Sequence, residues 1–123
     1  MAVIADYVLD KSLEVLDTEA DRIDSTSQLA TTFTEATSTY SLGNSTSLAF
    51  GAPQNGDSSG RKVTSSIISN ASVTATGTAT HFAITDVSAS RLLAAGALGT
   101  TQSVTSGNVF NLPAFDITIN DPS

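Results

Sequence analysis

The run RKVTSSIISNASVTATGTATHFAITDVSASRLLAAGALGTTQSVTSGNVFNLPAFDITI, Arg61 to Ile119, decides the fold class. It consists of short stretches rich in Thr, Val, Ile and Ala, cut at intervals by Gly, Asn, Asp and Ser. Branched side chains suit a pleated backbone and the interrupting residues favour turns, so the run reads as strands joined by tight connections. At its end Phe115, Ile117 and Ile119 alternate with Asp116 and Thr118, the period of a half-buried strand.

Working back along this run, Asp86 to Ser90 and Gly99 to Gln102 read as turns, and Arg91 to Leu98 as a strand of small residues. Val73, Ala75 and Ala79 share one parity, whereas Phe82 and Ile84 share the other. A bulge at Gly77 is expected to make that switch, because one extra residue reverses the alternation. Val63 and Ile67 are expected on one buried face, Leu48 to Phe50 as a short strand, and Gly51 to Gly60 as an exposed loop around the Asn55-Gly56 turn. Seven or eight strands at this spacing predict a mainly β fold, a single antiparallel β-sandwich or jelly-roll-like domain.

The first quarter follows another rule. Leu9, Leu13, Leu16, Ala20 and Ile23 recur at spacings of four, three, four and three, which predicts an amphipathic helix from residue 5 to about residue 20, with Asp6 as its N-cap. RIDSTS, Arg22 to Ser27, alternates and reads as the first strand. The chain thus divides into residues 1–27, holding an N-terminal arm, helix and first strand, and residues 28–123, the β-sandwich portion of one structural domain. Residues 28 to 47 are polar and turn-rich and read as a long connection anchored by Phe33 and Tyr40, with room for one short strand, serving as an interaction segment.

Beside the apolar stripe runs an acidic one: Asp6, Asp10, Glu14, Asp17 and Asp21. Like charges four residues apart repel, so this face is not built for helix stability. It is either a solvated face or a docking face for Lys and Arg on a partner. Seven of the 12 acids lie between Asp6 and Asp24, and the net charge is -7. A chain of this charge does not suit direct binding to nucleic acid or to an anionic membrane, both of which call for clustered cations. No apolar run approaches the roughly 20 residues of a membrane helix, and the opening MAVIADYVLD lacks the basic and apolar regions of a secretion signal. The expectation is a protein made in the cytoplasm of its host cell.

Chemistry is sparse. There are no cysteines, so disulfides and Cys-based metal sites are excluded. The single histidine, His81, reads as a structural hydrogen-bonder within a strand. DTEADRID, Asp17 to Asp24, fails as a calcium loop, because Arg22 stands where glycine is required and Gln28 where a bidentate Glu is required. No Ser elbow or phosphate-cradling loop occurs, and there is no Trp to stack a sugar. No enzymatic activity, cofactor or metal is expected.

EATSTYSLGN (Glu35 to Asn44), SGRKVT (Ser59 to Thr64), TGTATHFAITD (Thr76 to Asp86), SRLLAAGAL (Ser90 to Leu98), SVTSGNVF (Ser103 to Phe110) and AFDITINDP (Ala114 to Pro122) resemble small structural proteins of tailed bacteriophages. The helix-then-β organisation resembles them too. The resemblance implies a virion component. Among such components the capsid cement or decoration proteins are the expected type, bound outside the shell to the major capsid protein as a homo-oligomer such as a trimer. The alternative is a tail-tip or tail-fibre component that meets the host surface through loops such as Gly51 to Gly60. Tyr7, Asp10, Glu14, Asp17 and Asp21 of the helix, with Phe33 and Tyr40 of the connection, are the expected contact residues.

Overall fold

A computed structural model describes residues 4–120, among which lie nine strands and one long helix. Helix α1 spans Asp6–Glu19 and buries Leu9, Leu13 and Leu16, the stripe its periodicity predicts. Its start differs from expectation. Ala5, with extended backbone, holds the cap position and makes no side-chain cap bond, so Asp6 lies inside the first turn. There its carboxylate complements the positive end of the helix dipole. At the other end Ala20 turns extended, and the chain passes directly into β1, Arg22–Thr26.

The remaining strands are β2 (Ser41–Ser45), β3 (Gln54–Asn55), β4 (Arg61–Thr64), β5 (Ile68–Val73), β6 (Gly77–Asp86), β7 (Arg91–Val104), β8 (Val109–Leu112) and β9 (Asp116–Ile119). Six form one antiparallel sheet in the order β7-β6-β1-β2-β5-β8, and three form a second in the order β3-β4-β9. The large sheet curls. Its two edge strands approach each other, and the Gln102 amide of β7 donates to the Asn111 carbonyl of β8 at 3.0 Å. The fold is therefore mainly β, sandwich-like, with an N-terminal helix. One core joins helix and sheets through Leu13, Leu16, Ile23, Val63, Ile68, Ile84 and Phe110.

Strand β1 lies in the middle of the large sheet and is buried on both faces. Ile23 enters the main core. The opposite face is covered by residues 28–40, where Ala30 and Ala36 pack on Ala83, with Tyr40, Leu92 and Ala95 around them. Asp24 is fully buried there. It accepts two 2.7 Å bonds from the Arg22 guanidinium and one of 2.6 Å from the Ser41 hydroxyl. Arg22 also donates to the Thr37 carbonyl at 3.3 Å, so one charged pair ties β1 to the covering segment and to β2.

The 28–47 connection does contain the short strand its sequence left room for. It holds a one-turn π-helix, Glu35–Thr39, and then β2, an interior strand. SLGNS is a poor strand by propensity but pairs with β1 along most of its length and with β5 at Gly43 and Asn44. Other expectations are corrected. Leu48 to Phe50 is no strand and makes only an isolated bridge, Phe50 to Ser65. Val63 is buried, but Ile67 is 68% exposed and Ile68 takes the core position. The cause is a change of sheet: β4 ends at Thr64, and β5 starts in the other sheet at Ile68, which resets the alternation.

The parity switch in β6 does not come from a bulge at Gly77. Ala79 faces Gln102 and His81 faces Ala97, so Leu98–Thr101 of β7 bulges out opposite Thr80 alone. The stretch expected as a strand followed by a turn is thus one long strand with an interruption. Gly77 serves packing instead, since a Cβ there would sit 3.0 Å from a Leu42 methyl.

Gly43 is the tightest point of the large sheet. A Cβ on it would collide with the Ser72 carbonyl and stand 2.9 Å from both the Phe110 ring and the Val73 Cα. Backbone cannot give way as a flexible side chain can, so Gly43→Ala should destabilise the fold by about 1–3 kcal/mol or more. Gly99→Ala, where nothing lies within 4 Å, should stay within about 0.5 kcal/mol of wild type. Urea denaturation of both variants checks the contrast, and equal losses would refute the packing account. By the same measurement Arg22→Leu, which leaves the Asp24 carboxylate buried without its cation, should cost about 3–5 kcal/mol.

Candidate partner-binding surfaces

The expected contact residues do not form one site. Asp10 is committed within the fold. The Arg61 guanidinium of β4 donates to its two carboxylate oxygens at 2.7 and 3.2 Å, and Asp6 lies 4.0 Å from the same group. Arg61 also donates to the Asn55 side chain and the Pro53 carbonyl. This cluster clamps α1 onto the small sheet. Glu14 pairs with Lys11 at 3.2 Å on the helix surface, and Glu19 meets Arg91 at 3.5 Å. Asp17 and Asp21 remain exposed.

Tyr7 is 70% exposed, and the Lys11 ammonium stands 5.4 Å from its ring centre. Ile4, Val8 and Val15 are exposed on the same helix segment. Sequence reasoning ranked the acids and missed this ridge, although Ile4, Val8 and Val15 repeat at helical spacing off the buried Leu stripe. The outer side of α1 thus carries Tyr7, Val8 and Val15, while Asp17, two residues after Val15, turns to another side of the helix. The clamp to Arg61 makes this outer side a rigid one.

Phe33 and Tyr40 lie apart from the helix face. Both are half-buried, and Tyr40 packs against the Ala30, Ala36 and Ala83 cluster. They hold the covering segment down. Glu35 assists: its carboxylate accepts the Thr31 N–H and hydroxyl, each at 2.9 Å.

An open apolar pocket of about 180 Å³ lies beside the β7 bulge, lined among others by Phe82, Leu98, Leu112, Pro113 and Phe115. The Phe82 and Phe115 rings stack with centroids 4.7 Å apart. His81 is half-buried, with Nδ1 2.7 Å from the Thr80 hydroxyl, which in turn donates to the Ser27 carbonyl at 3.0 Å. Among the described residues no group of three His, Asp or Glu side chains could hold a metal ion. No helix among them is long and apolar enough to cross a membrane.

Three carboxylates titrate below their ordinary range. The Thr31 N–H holds Glu35 down, the Ser88 hydroxyl does so for Asp86, and the Thr64 hydroxyl followed by the Lys62 ammonium does so for Asp116. Each is more acidic folded than unfolded. Their contribution is fully present above the unfolded carboxylate pKa, about 4, and is lost as pH falls through the lower folded values. Thermal scans should show a Tm nearly constant from about pH 8 to about pH 5 and falling below about pH 4. A Tm that rises on acidification through that window would contradict these bonds.

No protein-family model, curated protein or solved structure matches the chain.

Proposed function

We propose that this chain is a structural component of a bacteriophage virion, a cement protein that binds the outside of the capsid and bridges neighbouring major capsid protein subunits. The observation that supports the reading is the outer face of α1. There Tyr7, Val8 and Val15 lie exposed on a helix that Arg61 fixes to the β body, with Ile4 exposed just before its start. Apolar area and an aromatic residue on a preorganised element are what a docking surface needs, because little conformational entropy is lost on binding. Asp17 and Asp21, further along the same segment and not used by the helix clamp, add the charge that would select a basic partner surface.

The mechanism is mechanical and rests on linkage. DNA packing pressurises a shell and strains the contacts between capsomers. A domain that binds the assembled lattice and not loose subunits stabilises the lattice by mass action. Copies that also self-associate on the shell add avidity. The β body would serve as the rigid span, with two sheets and the helix sharing one core.

The test is the stoichiometry and position of the chain in purified particles by cryo-electron microscopy. Hundreds of copies on the shell are expected, with α1 against the capsid protein. A few copies at the tail would replace this reading by a tail-component one, and absence from particles would end both. A triple variant, Tyr7→Ala with Asp17→Asn and Asp21→Asn, should reduce shell occupancy at least about tenfold while Tm changes little. Asp10 is left intact in that variant, because its loss would loosen the helix itself.

A further inference from the structure

The free edge of β7 carries an inference that does not depend on the virion reading. β7 ends the six-stranded sheet, and its C-terminal half lies near β8 through Gln102. Its N-terminal half has no strand beyond it. From Leu92 to Val104 this edge bears no charged residue and no proline, two of the devices that keep sheet edges apart. The other edge strand, β8, has only four residues and runs straight into Pro113.

The ladder tells which groups of β7 point outward. In a strand, successive residues turn their main-chain N–H and C=O to opposite neighbours. The Asp21 N–H donates to the Thr85 carbonyl, so Thr85 turns toward the β1 side, and Ala83 and His81 do the same by alternation. Ser27 agrees from the far side: its N–H donates to the Tyr40 carbonyl, so Thr26, Asp24 and Arg22 face β6. Phe82 and Ile84 therefore face β7, where they pair with Gly96 and Ala94. Ala95 and Ala97 are left with their polar groups directed away from the sheet. Neither residue makes a hydrogen bond outside the strand ladder.

We propose that β7 pairs antiparallel with β7 of a second copy of this chain, about a two-fold axis at Gly96. In this register Ala95 of each copy exchanges N–H···O=C bonds with Ala97 of the other, and the two Gly96 residues face each other. Gly96 suits that centre. Facing residues of this pair type approach closest, and the missing Cβ already makes room for the Phe82 ring, which it would meet at 3.1 Å. Antiparallel pairing of one strand with its own copy is self-complementary, so the interface closes after two subunits. The strand adds no charge to the contact: seven of the 12 acids lie between Asp6 and Asp24, and the nearest charged residue on the strand is Arg91, paired with Glu19. Alanines at 94, 95 and 97 keep the strand low on both faces. A foreign strand could meet the same main-chain groups, but only a second copy supplies the same uncharged, small-residue strand in matching register.

Sedimentation of the full chain tests this, alongside hydrogen exchange at the Ala95 amide. A dimer is expected, with the Ala95 amide exchanging at least tenfold more slowly than the amides of the exposed loop residues Asp57 and Ser58. Ala97→Pro removes an outward N–H that the fold does not use, and Ala97→Lys adds charge at the same exposed position. Both should sediment as monomers with an unchanged far-ultraviolet circular dichroism spectrum, and the Ala95 amide should exchange at loop rates in Ala97→Lys. If the proline variant fails to fold, the lysine variant decides. A monomeric wild type, a trimer, or a dimer that survives in the folded variants would each overturn the proposal.

Discussion

A charged pair at the centre of a sheet sets the terms for the rest of this structure. Asp24 lies on β1, which is flanked on both sides by strands and buried on both faces. A lone carboxylate there would be prohibitive, and its pairing with Arg22 and the Ser41 hydroxyl makes it tolerable. The pair needs a roof. Residues 28–40 supply one, placing the Thr37 carbonyl on Arg22 and small alanines against Ala83. The covering segment, the entry into β2 and the middle of the large sheet are therefore one cooperative unit.

A second clamp does the same for the helix. α1 buries its Leu stripe against the core, but a stripe alone permits sliding and rotation. The bidentate contact between Arg61 and Asp10 removes that freedom, and Arg61 is itself held by Asn55 of the small sheet and by the Pro53 carbonyl just before it. Rigidity is what turns the exposed ridge of Tyr7, Val8 and Val15 into a surface of defined shape. The helix face and the free half of β7 belong to different elements of the body.

Much of the secondary structure is legible in the chain, where local pattern and tertiary environment agree. The Leu9, Leu13 and Leu16 stripe, the RIDST strand, the turn at 87–90 and the alternation of Phe115, Ile117 and Ile119 all appear as read. The misreadings share a cause. SLGNS looks like loop because it lacks β-branched residues, yet strands on both sides pair with it. Ile67 looks like core because it matches the parity of Val63, yet the chain changes sheet between them. The acidic stripe reads as a solvated or a docking face, and nothing local marks Asp10 as the partner of Arg61, 51 residues further on.

The sequence by itself determined the class of the fold, the helix that opens it and the lack of any cysteine chemistry, because these follow from composition and from periods of 3.6 and 2 residues. Only the tertiary structure decided which strands lie inside the sheet, which carboxylates are paired and which edge is left open. Those outcomes depend on contacts between residues far apart in the chain, and a local pattern carries no record of its distant neighbours.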